Sequence, residues 1–196
     1  MIWKEETIDL FSSLQTPKVE LFCEVKIDGL SFSARYENGK LVYGATRGDG
    51  FVGENVTENI KMITDIPVTL PDSSPKKIEV RGEIVMSKET LEKLNSENEK
   101  RGLPKFANTR NAAVGSIRQL DPSIAKERNL NFYAYDIAQL SDDYANKIKL
   151  HSDEHRLLFS LGFPVSEHEK KCKDIKDVEK FVESISKIRS EERRVG

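Results

Sequence analysis

The chain has 196 residues, with 37% apolar and 33% charged side chains and a net charge of -2 from 31 Lys and Arg against 33 Asp and Glu. That length suits one substantial domain with at most a small appendage, and the near-balanced charge excludes a global basic signature of nucleic-acid binding, so any such face must be local. Two cysteines exclude a disulfide framework or a zinc module, and neither a signal peptide nor an apolar run of spanning length is found, so a cytoplasmic protein without membrane or zinc contacts is expected.

Residues 1–18 carry Ile8, Leu10, Phe11 and Leu14 at helical spacing, and Pro17 ends the pattern. Residues 21–36 read as a strand, followed by Asn38-Gly39, the strongest short hairpin signal. The return strand over 41–46 runs into Arg47-Gly48-Asp49-Gly50, whose glycines permit close approach to a ligand. A short helix capped by Asn55 is predicted over 56–63. The strand over 78–86 is interrupted by Arg81-Gly82-Glu83, which predicts a bulge or a close backbone approach at the glycine. Ser87 caps a helix to about residue 100, with Leu91 and Leu94 inward, and Asn108 or Thr109 opens another through 119. A buried aromatic strand over 130–137 and helices near 152–161 and 174–188 complete the chain. Strands joined by hairpins and mixed with helices predict an α+β fold with an antiparallel sheet.

The chemistry concentrates at Glu24-Val25-Lys26-Ile27-Asp28-Gly29. In an extended strand, Glu24, Lys26 and Asp28 would share one face, while Gly29 lets the chain turn beside a ligand. A lysine becomes a nucleophile on losing its proton, which desolvation or nearby cations promote; the same spacing also suits a surface strand leading to a hairpin. Arg47, one hairpin later, is placed to return beside Lys26 and meet a phosphate or ribose, or else is a solvated turn arginine. Glu83 is a candidate for a ribose hydroxyl or a metal, or for a surface pair with Arg81. Arg110 and Arg118, eight residues apart at ~100° per residue, fall within ~80° of each other on a helix and suit a phosphate backbone. Asn108, Asn111, Ser116 and Gln119 add hydrogen-bonding groups near them. His151 and His155 have the spacing of two metal ligands but lack a third, so solvated histidines are the better account. Asp28, Asp49 and Glu54 are carboxylates available to magnesium, too common a feature to assign one.

Taken together these segments resemble the adenylation domain of NAD-dependent bacterial DNA ligases. The resemblance covers roughly 20–188 and rests on Cys23-Glu24-Val25-Lys26-Ile27-Asp28-Gly29, Tyr36-Glu37-Asn38-Gly39, Ala45-Thr46-Arg47-Gly48-Asp49-Gly50, Glu79-Val80-Arg81-Gly82-Glu83 and Phe106-Ala107-Asn108-Thr109-Arg110-Asn111-Ala112-Ala113. It continues through Gly115-Ser116-Ile117-Arg118-Gln119-Leu120-Asp121-Pro122, Phe132-Tyr133-Ala134-Tyr135 and Leu161-Gly162-Phe163-Pro164-Val165. Lys-x-Asp-Gly alone is shared with ATP-dependent ligases, RNA ligases and capping enzymes; the Arg47 and Arg110–Pro122 runs are specific to the NAD branch.

The resemblance implies a nucleotidyltransferase fold, antiparallel sheets flanked by helices, and strand sealing in replication and repair. It implies that Lys26 takes AMP from NAD and that the AMP passes to the 5′-phosphate of nicked double-stranded DNA, with Mg2+ neutralising developing charge. Glu24, Arg47 and Glu83 would contact adenosine or ribose, Asp28 would support the lysine, and Arg110 and Arg118 would grip phosphates at the nick. Residues 1–20 are a lead-in too short for the family's nicotinamide-binding head, and residues 21–188 stop before a Glu-Ile-Asp-Gly-Val-Val-x-Lys strand and a later lysine. Weak or no activity is therefore expected of the chain alone; the alternative is a catalytically incomplete nucleotide- or nick-binding module. Residues 189–196, Arg-Ser-Glu-Glu-Arg-Arg-Val-Gly, equal the translation of a common sequencing adapter, AGATCGGAAGAGCGTCGTGTAGGG, and are expected to be non-native; a different nucleotide sequence there would sink that expectation.

Overall fold

Asn38 and Gly39 both take positive φ, 49° and 73°, as a two-residue type I′ hairpin turn requires. They join strand β2 (Leu30–Glu37) to strand β3 (Lys40–Thr46), with Glu37 opposite Lys40. The computed structural model describes residues 20–195, the last seven of them as backbone alone. The helix expected over 1–18 lies outside the described residues. The chain divides into two units, one comprising Met1–Val25 with His168–Gly196 and the other Lys26–Glu167.

The second unit is built on a four-stranded antiparallel sheet in the order β3-β2-β4-β5, with β4 at Lys77–Val85 and β5 at Asn131–Leu140. Two-residue periodicity sorts its faces. Phe32, Ala34, Tyr36, Ile78, Val80, Ile84, Phe132 and Ala134 point inward and are buried. Against them pack Ile60 of α1 (Thr57–Ile60), Leu94 of α2 (Lys88–Lys100) and Ala112, Ala113 and Ile117 of α3 (Thr109–Ile117). Ala125 of α4 (Ser123–Glu127) and Leu158 of α6 (His151–Ser160) complete the layer, with α5 (Asp142–Ala145) after β5. The Phe132 ring sits 5.0 Å from Phe32 and 6.2 Å from Phe163. Full burial of such side chains contributes about 1.5–3 kcal/mol each, so this apolar layer holds the sheet rigid beneath its outer face.

Local signals explain most element ends. Ser87 accepts the Thr90 N–H at 3.1 Å to start α2, and Asn108 accepts the Asn111 N–H at 2.8 Å to start α3. At Gly82 an added Cβ would lie 2.0 Å from the Phe132 ring, and the β4–β5 register shifts between Arg81 and Gly82. The close approach therefore occurs at Gly82, and the bulge lies opposite it, where β5 carries the extra residue Tyr135. Two expectations are corrected. The strand predicted over 21–36 breaks: β1 (Leu21–Glu24) stops before Lys26, and residues 25–28 join no ladder. The helix predicted over 56–63 is only α1, and Val56, not Asn55, stands at its cap position. After Ile60 the chain goes over to three-residue turns, with the Met62 N–H on the Asn59 carbonyl at 3.1 Å and the Ile63 N–H on the Ile60 carbonyl at 3.0 Å.

In the first unit, β1 pairs antiparallel with β6 (Glu169–Cys172), with Leu21 opposite Cys172, and α7 (Ile175–Val195) follows. Burial first, and the neighbouring Cys23 thiol second, push the Cys172 thiol above its ordinary range. Both cysteines are free thiols. The observed class is α+β with antiparallel sheets and flanking helices.

Candidate adenylation site

The Lys-x-Asp-Gly turn is closed by a carboxylate from across the sheet. Gly29 donates its backbone N–H to Glu83 Oε1 at 3.1 Å. An added Cβ on Gly29 would lie 2.1 Å from the Ile84 carbonyl oxygen, so only glycine lets the turn approach β4 this closely. Register makes the contact: Ser31 lies opposite Glu83 and Leu30 opposite Ile84. Glu83 is 7% exposed. Burial pushes its carboxyl above the usual range, against the opposing pull of the Gly29 N–H and then the Lys26 and Arg110 charges. The surface pair with Arg81 considered above does not form; Arg81 bonds Asp136 at 3.3 Å instead. Register is the reason: Arg81 lies opposite Asp136 of β5, while Glu83 lies opposite Ser31 of β2, beside Gly29.

Lys26 and Asp28 are exposed on either side of half-buried Ile27, so the alternation persists although no ladder holds it. Asp28 Oδ1 accepts from Arg110 Nη1 at 2.7 Å, tying the turn to the first residues of α3. Lys26, Asp28, Gly29, Glu83 and Arg110 thus form one cluster in the second unit. Glu24 is exposed at the end of β1 in the first unit.

Arg47 extends the same sheet face. Its backbone N–H bonds the Ser31 carbonyl at 3.0 Å, which returns it beside Ser31, five residues beyond Lys26. Ser31, Ser33, Tyr43, Arg47, Arg81 and Tyr135 line an open groove of about 610 Å³ on this polar face. Ser31 Oγ and the Tyr135 hydroxyl are 2.8 Å apart. The loop after Arg47 is shaped by Asp49, whose carboxylate accepts the Phe51 and Val52 N–H groups at 2.9 and 2.8 Å. Those bonds, Val52 first, hold the Asp49 carboxyl below its usual range. Phe51, at the tip, is 97% exposed.

The two arginines predicted to share a helix face pair with different carboxylates. Helix α3 ends at Ile117, with Arg118 as its C-cap and the Arg118 N–H still on the Val114 carbonyl at 3.1 Å. Arg110 faces Asp28, whereas Arg118 Nη2 bonds Glu54. That bond raises the Arg118 pKa further. The surrounding polar residues are also spent differently: Asn108 caps α3, Ser116 Oγ donates to the Ala112 carbonyl, and Gln119 Nε2 donates to the Gly115 carbonyl.

Of the two histidines only His151 is partly exposed, and His155 is not solvated. His155 is 2% exposed, with Nε2 3.1 Å from the Tyr135 carbonyl, and His151 Nδ1 lies 3.3 Å from Glu154. Asp136, His151 and Glu154 each bring one ligand atom within 4.8 Å of the others. Asp136 is paired with Arg81 and Glu154 accepts the Ile137 N–H at 3.4 Å, so these groups tie α6 to β5. Asp28, Asp49 and Glu54 form no such group among the described residues; each has its own protein partner.

Sequence reasoning passed over Ser31 and Tyr135. The available signal was the run of polar residues at alternate positions in β2, Ser31, Ser33 and Arg35, which marks an outer face that is not core. Among the described residues no helix is long and apolar enough to cross a membrane.

The profile of the NAD-dependent DNA ligase adenylation domain matches residues 2–193. The chain is 47% identical over 173 residues to the DNA ligase of Shouchella clausii (strain KSM-K16), covering 88% of this chain and 25% of that protein. It is 45% identical over 179 residues to the DNA ligase of Acinetobacter baumannii (strain AYE), covering 90% and 26%. The DNA ligase of Thermotoga petrophila (strain ATCC BAA-488 / DSM 13995 / JCM 10881 / RKU-1) is 45% identical over 166 residues, 85% of this chain and 23% of its own length. The chain therefore spans about a quarter of the length of the curated relatives it matches. With a glycine-tight Lys-x-Asp-Gly turn held by a buried glutamate and flanked by arginines, it belongs to the NAD-dependent DNA ligase adenylation-domain family.

Proposed function

We propose that Lys26 is the residue adenylated by NAD and that the adenylate then passes to the 5′-phosphate of nicked double-stranded DNA in the bacterial cytoplasm. Residues 21–188 serve as part of the adenylation domain. The observation that carries this is the Gly29 N–H to Glu83 bond beside Lys26. It holds the lysine-bearing turn against a rigid sheet whose polar face is open, and fixed geometry is what nucleophilic attack at phosphorus needs.

In the first step the Lys26 Nζ lone pair attacks the adenylyl phosphorus of NAD. A P–N bond forms, the P–O bond to nicotinamide mononucleotide breaks with its electrons, and the amine proton goes to solvent. In the second, a 5′-phosphate oxygen attacks the same phosphorus, the P–N bond breaks and Lys26 recovers a proton. The 3′-hydroxyl then attacks the activated 5′-phosphate, forms the phosphodiester and expels AMP.

Glu83, with Arg47 and Glu24, is assigned to the adenosine and its ribose, and Asp28 to the support of the turn. Arg110 and Arg118 are assigned to phosphates at the nick, which their guanidinium forks suit. Phosphoryl transfer calls for Mg2+ to neutralise the developing charge.

Incubation with NAD and magnesium followed by intact-mass measurement tests the proposal. An AMP adduct on the wild type, absent in Lys26→Ala and not formed from ATP, is the expected result. No adduct with retained nucleotide or nick binding would make the chain a non-catalytic binding module, and an adduct from ATP alone would overturn the NAD assignment.

A further inference from the structure

Glu54 and Arg118 meet across 64 residues of sequence, and both backbones are fixed before the side chains touch. Thr46 donates its N–H to the Glu54 carbonyl at 3.0 Å, while the Glu54 N–H bonds Thr46 Oγ1 at 3.0 Å. Gly53 makes this possible, since a Cβ there would lie 1.8 Å from the Thr46 carbonyl oxygen. The next residues are zipped on as well, with Ala45 bridged to Asn55 and the Val56 N–H on the Gly44 carbonyl at 2.9 Å. Glu54 is thereby attached to the end of β3, at the far side of the loop that starts with Arg47. On the other side, the Arg118 N–H closes α3 on the Val114 carbonyl at 3.1 Å. Buried Asn59 donates to the Gln119 carbonyl at 2.8 Å, anchoring the turn just after Arg118.

The side chains of the pair are 55% and 51% exposed. Exposed ion pairs contribute little to stability, so two anchored backbones are poorly explained by a stabilising role. They are well explained by orientation. Arginine carries five N–H donors in a planar fork; Glu54 engages the Nη2 end, and the other edges stay directed and available to an incoming phosphate.

We propose that Glu54 is a positioning residue for the reaction on DNA, holding the Arg118 guanidinium in the orientation that receives a phosphate of the nicked strand. This rests on the assignment of Arg118 to the nick made above. Affinities of the chain are measured by fluorescence anisotropy for two nicked duplexes, one with a 5′-phosphate and one with a 5′-hydroxyl. The proteins are the wild type, Glu54→Ala, Glu54→Gln, Arg118→Ala and the Glu54→Ala/Arg118→Ala double variant. Glu54→Ala is expected to weaken binding of the phosphorylated nick about five- to tenfold and to leave the hydroxyl nick unchanged. Glu54→Gln, which keeps an acceptor for Nη2, recovers part of the loss, and the double variant binds no worse than Arg118→Ala. Melting temperatures stay within about 2 °C of the wild type.

Tighter binding by Glu54→Ala would overturn the inference, because Glu54 would then only compete with phosphate for Arg118. So would a further loss in the double variant, or an unchanged preference in Glu54→Ala while Arg118→Ala loses it. A wild type that does not distinguish the two nicks, or an Arg118→Ala variant that behaves like it, would remove the assignment of Arg118 itself and the inference with it.

Discussion

Arg110 holds Asp28 at 2.7 Å, joining residues 82 apart in sequence and fastening the Lys26 turn to the start of α3. Both side chains are more than half exposed, so the pair is poorly placed to add stability and well placed to give way to a substrate phosphate. Asp28→Asn is expected to move the melting temperature by less than about 2 °C while slowing Lys26 adenylation at least tenfold. Thermal melts and a time course of adduct formation measure the two effects; a large melting shift with normal adenylation would reverse the assignment.

Gly29→Ala tests the opposite regime. The new Cβ meets the Ile84 carbonyl at 2.1 Å, a backbone atom of a central strand that has no free rotamer to relieve the clash. The expected cost is about 2–4 kcal/mol, a fall of roughly 5–15 °C in melting temperature, with loss of the Glu83 bond. A variant that melts with the wild type would mean the turn is not held against β4.

Glu83 carries a cost in folding that its position explains. Its folded pKa is raised, chiefly by burial, so the folded state binds the proton more tightly than the unfolded state does. Stability from this group is present below the ordinary glutamate range and declines as pH rises through the folded value. Glu83→Gln keeps an acceptor for Gly29 and removes the charge. It is expected to raise the melting temperature at pH 7 by about 1–3 °C and to lose that advantage in acid. Adduct formation by the same variant should fall. Equal melting differences at both pH values would contradict the origin assigned to the shift.

Asp49 behaves with the reverse sign. The Val52 and Phe51 N–H groups favour its ionised form, so its folded pKa is depressed. Its contribution is complete above the ordinary aspartate range and is lost as pH falls through the lower folded value. Hydrogen exchange at Phe51 and Val52, corrected for intrinsic rates, should speed up in Asp49→Ala at neutral pH, and in the wild type only in strong acid. Unchanged protection in the variant would show that Gly48 and Gly53, and not Asp49, shape the loop.

Local chemistry was legible from the residues themselves. Asn38-Gly39 specified its hairpin because few residues tolerate two successive positive φ values, and Ser87 and Asn108 specified helix starts because their short side chains reach a free N–H. Gly82 announced the close approach, and the bulge lies opposite it in β5. The motif runs around Lys26, Arg47 and Arg110 carried the family, and the match over residues 2–193 agrees with it.

Pairing was not legible, because it depends on which strand lies beside which. Glu83 could be weighed against Arg81 as neighbours, but β2–β4 register decides that it turns to Gly29. The helical wheel put Arg110 and Arg118 on one face, but which carboxylate meets each depends on where the Lys26 turn brings Asp28 and the loop after β3 brings Glu54. His155 looked like a helix-start histidine until α6 packed it against β5. The sequence alone determined which groups this protein carries and the local turns that present them, since those follow from bonds spanning a few residues. Tertiary structure decided which charge answers which, since contacts 54, 64 and 82 residues apart exist only once the sheet register and the helix ends are set.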